Sequence, residues 1–211
     1  MSMDWWEAEQ EAGYEQFVES LAKELYTEHR EQAIQEFVSE RLKSYYKEHN
    51  DIAVGSLLFL RKAKELRESE PTSSLLLSST ATEVILKSVL LKPVVFGLVH
   101  TDSLAELVAN MLVRQAGIDR FKELVFKVLE HHIDFGSGVS TYCRKDSNQP
   151  LWSERAHVQE IRNRISHRAE FCTDKDARLS LDVGTTFFML TKLLIENIGY
   201  KMNKEGLIAS E

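Results

Sequence analysis

The chain has 211 residues with a formal net charge of −7, three prolines, nine glycines and two cysteines, a length that suits one well-cored domain plus an extension. Cys143 and Cys172 are too few and too far apart for a disulfide framework or a zinc site, and a surplus of acid argues against a ligand held by phosphate neutralisation alone. The opening Met-Ser-Met-Asp-Trp-Trp-Glu has neither the basic nor the apolar region of a secretory signal, so a cytoplasmic location is expected.

In chain order, Tyr14, Phe17, Val18, Leu21 and Leu25, then Ile34, Phe37, Val38, Leu42 and Tyr45, recur at spacings of three and four. They predict one long or two shorter amphipathic helices over residues 4–48 with acidic outer faces. Residues 1–50 carry 12 acidic and 5 basic side chains, so the whole negative surplus sits there and the remainder is balanced. Trp5 and Trp6 read as core packing, with a docking anchor as the other reading. A further helix is predicted from Ile52 to Arg67, stopped by the turn that ends at Pro71. Residues 73–91 are apolar nearly all round, broken chiefly by Glu83 and Lys87, which places a helix in the middle of the core. Lys87, Lys92 and Pro93 make the apolar run from Val84 to Val99 a poor membrane span. Ser103 and Glu106 form a capping box for a helix to Arg114, and another helix fits Asp119 to His132.

Ile133 to Trp152 is rich in Gly, Ser, Asp, Asn and Pro and reads as a loop, of a length more typical of functional or disordered segments than of connectors. Ser153 is then the expected cap of a helix with apolar positions Val158, Ile161, Ile165 and Ala169. A last helix fits Asp176 to Tyr200, and the chain past Met202 is expected to fray. The fold class is therefore all-α. It divides into an acidic N-terminal helical extension (1–48), a helical domain (49–202) and a flexible tail (203–211).

The distribution of charge softens the objection to a polyanionic ligand. From Arg144 to Arg168 there are six Arg/Lys against three acids, with His157 and His167 in addition. On the helix that starts near Ser153, the polar residues Arg162, Asn163, Ser166 and His167 stand off the Ile161/Ile165 stripe. Asn163 and His167 share a face, as do Arg162 and Ser166. An Arg and a His there also suit the helix C-terminal dipole or pairing with Glu160 and Glu170. His131, His132 and Asp134 could suggest a metal, but adjacent histidines face different sides of a helix and no Glu-x-x-His or Cys pair supports them. Cys143 has no evident catalytic partner, no Walker or dinucleotide glycine loop is present, and neither metal nor other cofactor is expected.

The run Arg162-Asn163-Arg164-Ile165-Ser166-His167 resembles the nuclease signature of the HEPN superfamily, an Arg, a polar residue that is often Asn, and a His a few residues on. The helix carrying Glu83-Val84-Ile85-Leu86-Lys87 is similar to the Glu-containing helix that packs on the catalytic helix in many HEPN domains, and the resemblance covers about residues 50–200. It implies an HEPN-like helical bundle and a metal-independent endoribonuclease that leaves 2′,3′-cyclic phosphate and 5′-hydroxyl ends. Arg162 and His167 would be catalytic, and Asn163 would orient His167 or hold the scissile phosphate. Arg164, Arg168 and Ser166 would contact RNA, and Glu83 would support the site by reaching Arg162 or would simply pair with Lys87.

The residue types suit that chemistry. RNA carries its own nucleophile, the 2′-hydroxyl; an imidazole titrates near neutrality; a guanidinium fork matches phosphate oxygens. The resemblance further implies a homodimer with facing motifs, a toxin or anti-phage role, and an antitoxin or defence-system partner. Toxins paired with a nucleotidyltransferase antitoxin commonly carry a Tyr two residues after the His, where this chain has Ala169. The residues are also compatible with a non-catalytic helical HEPN module, whose acidic N-terminal helices dock a basic partner and whose motif binds a nucleotide or nothing.

Overall fold

The computed structural model describes residues 40–98 and 118–210. The chain divides into two compact units, Met1–Glu40 and Arg41–Glu211, and all described residues but Glu40 belong to the second. The helices expected before residue 40, the Trp5-Trp6 pair and the helix from Ser103 to Arg114 lie outside the described residues.

The described part is mostly helical. Helix α1, described over residues 40–48, buries Leu42, Tyr45 and Tyr46, so the boundary drawn at residue 48 falls inside the second unit. Tyr46 donates its phenol proton to the Val89 carbonyl at 2.8 Å. Burial, helped by the neighbouring Tyr45, pushes that phenol far above its ordinary value.

Helix α2, Val54–Leu66, ends where the sequence turns. Helix α3, Pro71–Val84, opens with proline in its first turn, where the missing N–H leaves no bond unmade. It runs on through a π-helical stretch, Ile85–Leu91, into α4, Lys92–Leu98. The span Pro71–Phe96 is long and apolar enough to cross a membrane, with a mean hydropathy of 1.4, yet 61% of its most apolar window is buried inside the fold. It is the central core helix that its apolar run predicts.

One side of α3 is polar but small. The Ser74 hydroxyl donates to the Ala63 carbonyl at 2.7 Å, Thr82 to the Ser78 carbonyl at 2.9 Å, and Ser78 shares a 2.6 Å bond with Ser180. Every one of these buried hydroxyls is satisfied, so the stripe costs little and lets neighbouring backbones close in.

A 3₁₀ turn, Ile118–Phe121, leads into α5, Lys122–His132. Beyond the 133–150 loop come α6, Leu151–Arg168, and α7, Asp174–Asn197. Helix α7 opens at Asp174 rather than Asp176, because Thr173 and Asp176 form a reciprocal capping box.

The C-terminus departs from expectation. The backbone turns at Gly199, φ +92°, and Tyr200 enters a strand instead of ending the helix. Strand β1, Tyr200–Met202, pairs antiparallel with β2, Ile208–Ser210, setting Met202 opposite Ile208. Both of those side chains are buried, and Ile208 N–H donates to the Asn50 carbonyl at 2.8 Å. The segment expected to fray is therefore hydrogen-bonded and packed at least as far as Ser210.

Candidate functional site

Helix α6 follows Pro150, whose φ of −55° and ψ of 135° turn the chain into the helix and whose carbonyl accepts from Ser153 N–H at 2.9 Å and Glu154 N–H at 3.1 Å. Ser153, the expected cap, lies one turn inside. The first half of α6 is anchored through Leu151, Trp152, Glu154, Arg155 and Val158, all of them buried. Trp152 meets Phe126 and Phe187 edge-on, with ring centres 5.3 and 6.2 Å away. Arg155 lies over the Trp152 ring and pairs with Asp119 at 2.5 Å.

Glu154 is 7% exposed and gathers the preceding loop. It accepts two bonds from the Arg144 guanidinium, at 2.7 and 2.9 Å, and one from the Ser147 hydroxyl at 2.7 Å. Burial alone would raise the Glu154 carboxyl, but those bonds and the Arg144 charge outweigh it and hold the group below its ordinary value. Asp182 of α7 lies 3.4 Å from Arg144. The rest of the loop is tied as well: Glu130 accepts from Val139 N–H, Asp134 from Gly136 N–H, and Cys143 forms a bridge with Pro150. The 133–150 segment is thus a loop clamped to α6, and its arginine, Arg144, is engaged within the protein.

The second half of α6 is different. Ile161 and Ile165 pack on a small cluster with Leu75 and Ala177, while Asn163, Arg164, Ser166, His167 and Arg168 are exposed and Arg162 is half-buried. The helix stops at Ala169, which adopts the left-handed conformation usually filled by glycine (φ +53°), with its N–H donating to the Ile165 carbonyl at 3.1 Å. His167 and Arg168 occupy the last turn, where cations favour the helix dipole.

The motif side chains sort by their partners. Arg164 and Arg168 both approach Glu170, at 3.6 and 3.9 Å. The Asn163 carbonyl accepts from Gln159 at 3.2 Å and from Arg162 at 3.4 Å, so Asn163 is joined to Arg162 rather than orienting His167. Glu160 lies 4.0 Å from His157. No described carboxylate pairs with Arg162 or His167. At about 100° and 1.5 Å per residue, Arg162 and His167 leave the axis about 140° apart and about 7.5 Å apart along it.

Glu83 does not reach Arg162: its carboxylate binds Lys87 at 2.6 Å. It does face the motif helix, lining a narrow cleft with Arg155, Val158 and Gln159, and Gln159 in turn bonds Asn163. Near the start of α7, the Asp176 carboxyl would be raised by burial, but it is held low by hydrogen bonds from Thr173 and by the charges of His157 and Arg164. His131 and His132 stack edge-on at 4.7 Å. Burial first, and the neighbouring His131 second, lower the His132 imidazole.

Two features escaped the sequence reading. Glu154 counted as one of three acids in a basic segment, whereas it is buried and paired with residues of the loop before it. Phe171 belongs to no helix stripe and is 90% exposed; its signal was an aromatic residue between the last apolar position of one helix and the cap of the next. Comparison with protein-family models, with curated proteins and with solved structures finds no match for the chain.

Proposed function

We propose that the chain is a metal-independent endoribonuclease of the HEPN type, built on an HEPN-like bundle and acting on RNA as a homodimer in the cytoplasm, as toxins and anti-phage effectors of that superfamily do. The observation that carries this reading is the selective commitment of the motif: Arg164 and Arg168 share Glu170, while no described carboxylate pairs with Arg162 or His167. Pairing with Glu160 or Glu170, the ordinary role for an Arg and a His at a helix end, does not account for these two.

In this reading an imidazole takes the proton of the 2′-hydroxyl, whose oxygen attacks the adjacent phosphorus. The guanidinium of Arg162 stabilises the crowded phosphoryl oxygens, and an imidazolium protonates the departing 5′-oxygen. The products are a 2′,3′-cyclic phosphate and a 5′-hydroxyl. Two proton transfers on opposite sides of phosphorus suit two histidines, and the roughly 140° between Arg162 and His167 on one helix suits a second copy across a two-fold axis.

The test is cleavage of RNA in excess EDTA with identification of the ends. Arg162→Ala and His167→Ala should each lower activity by about 10²-fold or more while the circular dichroism spectrum is retained. Wild type paired with an Arg162→Ala/His167→Ala chain should fall well below half of wild-type activity. Activity lost on chelation and restored by a divalent ion, or full activity in either single variant, overturns the proposal. A monomer at working concentration overturns the dimer.

A further inference from the structure

Phe171 is the most exposed large apolar side chain among the described residues, at 90%. It sits in the connector between α6 and α7, and the backbone on both sides of it is fixed. Before it, Ala169 closes α6 with its bond to the Ile165 carbonyl. After it, Cys172 N–H donates to the Thr72 hydroxyl at 3.3 Å, and Thr173 is locked in the capping box of α7. The ring is therefore held out by a pinned five-residue turn, and ordering it on binding costs less than ordering a floppy loop. Leu58, Phe59, Met189 and Leu193 are also exposed, but less so, at 40–57%, and each sits on a helix rather than in a connector.

The surroundings of Phe171 are specific. Arg168 lies three residues before it and His167 four. Glu170, its immediate neighbour, gathers the guanidinium groups of Arg164 and Arg168 at 3.6 and 3.9 Å. An exposed aromatic ring one residue after a carboxylate that gathers two guanidinium groups offers what an unpaired nucleotide needs, a flat apolar face for the base and nearby cations for a phosphate. A base inside a duplex offers no free face, so such a platform discriminates by strandedness.

We propose that Phe171 is a base-stacking platform that receives an unpaired nucleotide of the RNA. The proposal rests on the ribonuclease reading for RNA as the ligand, but the stacking itself is measurable without cleavage.

The experiment measures fluorescence anisotropy of a labelled single-stranded oligoadenylate with every 2′-hydroxyl methylated, which blocks the nucleophile. The proteins compared are wild type, Phe171→Ala, Phe171→Leu and Phe171→Tyr. The Ala and Leu variants should each bind about 5- to 150-fold more weakly, the loss of one stacked base, while Tyr stays within about twofold of wild type. A labelled RNA duplex should show no dependence on residue 171. Binding by Phe171→Ala equal to wild type, or by Phe171→Leu equal to Phe171→Tyr, overturns the proposal, the latter because an apolar contact would then suffice. Sedimentation completes the test: if Phe171→Ala dissociates a wild-type dimer, the ring is a contact between copies and the proposal falls. The two readings fail separately. RNA cleavage by the wild type with KM unchanged in Phe171→Ala defeats stacking alone, whereas Phe171-dependent binding without cleavage of unmodified RNA defeats the nuclease alone.

Discussion

Replacing Glu154 by Gln keeps the shape of the side chain and removes the charge that gathers Arg144 and Ser147. Arg144 is 14% exposed and Glu154 7%, so solvent does little to replace the lost interaction. Removing one partner of a buried pair costs about 3–5 kcal/mol. Here Asp182 remains 3.4 Å from Arg144 and Gln still offers an acceptor, so a loss of about 2–3 kcal/mol is expected, the scale of one hydrogen bond to a charged group. For a chain of this size that is a fall in Tm of about 4–12 °C near neutral pH. The pH dependence supplies an internal control. The Glu154 carboxyl is held below its ordinary value of 4.5 in the folded protein, so its contribution is fully present above that value. It is lost as pH falls through the depressed folded value. Thermal unfolding followed by circular dichroism should therefore show a constant gap between wild type and Glu154→Gln from about pH 8 to pH 5, narrowing below about pH 4. Equal melting temperatures at neutral pH, or a gap that persists undiminished in acid, would refute the assignment of Glu154 as the buried anchor of the loop.

Gly184→Ala places a Cβ 2.8 Å from the Thr82 hydroxyl oxygen, 2.9 Å from a Leu60 methyl and 3.2 Å from the Ser78 carbonyl; overpacking of about 1–3 kcal/mol should lower Tm by about 2–12 °C, and a rise in Tm would contradict the close approach of α7 to α3. Glu170→Gln should strengthen binding of single-stranded RNA, because a phosphate no longer competes with that carboxylate for Arg164 and Arg168. Exposed pairs of this kind are worth up to about 1 kcal/mol each, so the gain should be at most about fivefold per guanidinium. Anisotropy at two salt concentrations measures it, and unchanged or weaker binding would show that these arginines do not meet the nucleic acid.

The spans of α2, α5 and α6 were legible to within a few residues; Val158, Ile161 and Ile165 are inward as their spacing requires, whereas Ala169, expected on the same stripe, is exposed and ends the helix. The ends were harder. Ser153 is a good capping residue by type, but Pro150 already turns the chain and offers its carbonyl to the first free N–H groups. The π-helical stretch has no sequence period of its own, and the buried serines of α3 are polar by type and core by position. The hairpin was missed because each strand is three residues long and brings only one or two apolar side chains to the core, Tyr200 and Met202 from one and Ile208 from the other, although Asn203 and Gly206 mark its turn: the Asn203 side chain accepts from Glu205 N–H and Leu207 N–H, and Gly206 has φ +86°. At the site, the local pattern Arg162 to His167 could be read directly. The Glu154 cluster could not, since it depends on a loop folding back over the helix.

That contrast within α6 bears on how an exposed motif becomes a site. The helix is held through Glu154, Arg155 and Trp152, so the backbone beneath Arg162 and His167 is set by the scaffold, while His167 is exposed and Arg162 half-buried. In water a guanidinium 4 Å from a phosphate gains only about 1 kcal/mol, against about 4 kcal/mol at the effective dielectric of a partly buried pair. The difference of about 3 kcal/mol is roughly a hundredfold in rate for each such contact if the interaction tightens at the transition state. On the proposed ribonuclease reading, a single chain has the residue types but not the dielectric, and Arg162 and His167 leave the helix on different sides. A second copy laid over the same face would supply both at once, an opposed Arg162 and His167 and a cover that excludes water. If the proposal holds, the accessibility of the motif in one chain is what an interface-completed site requires, and an isolated chain should be the weaker catalyst.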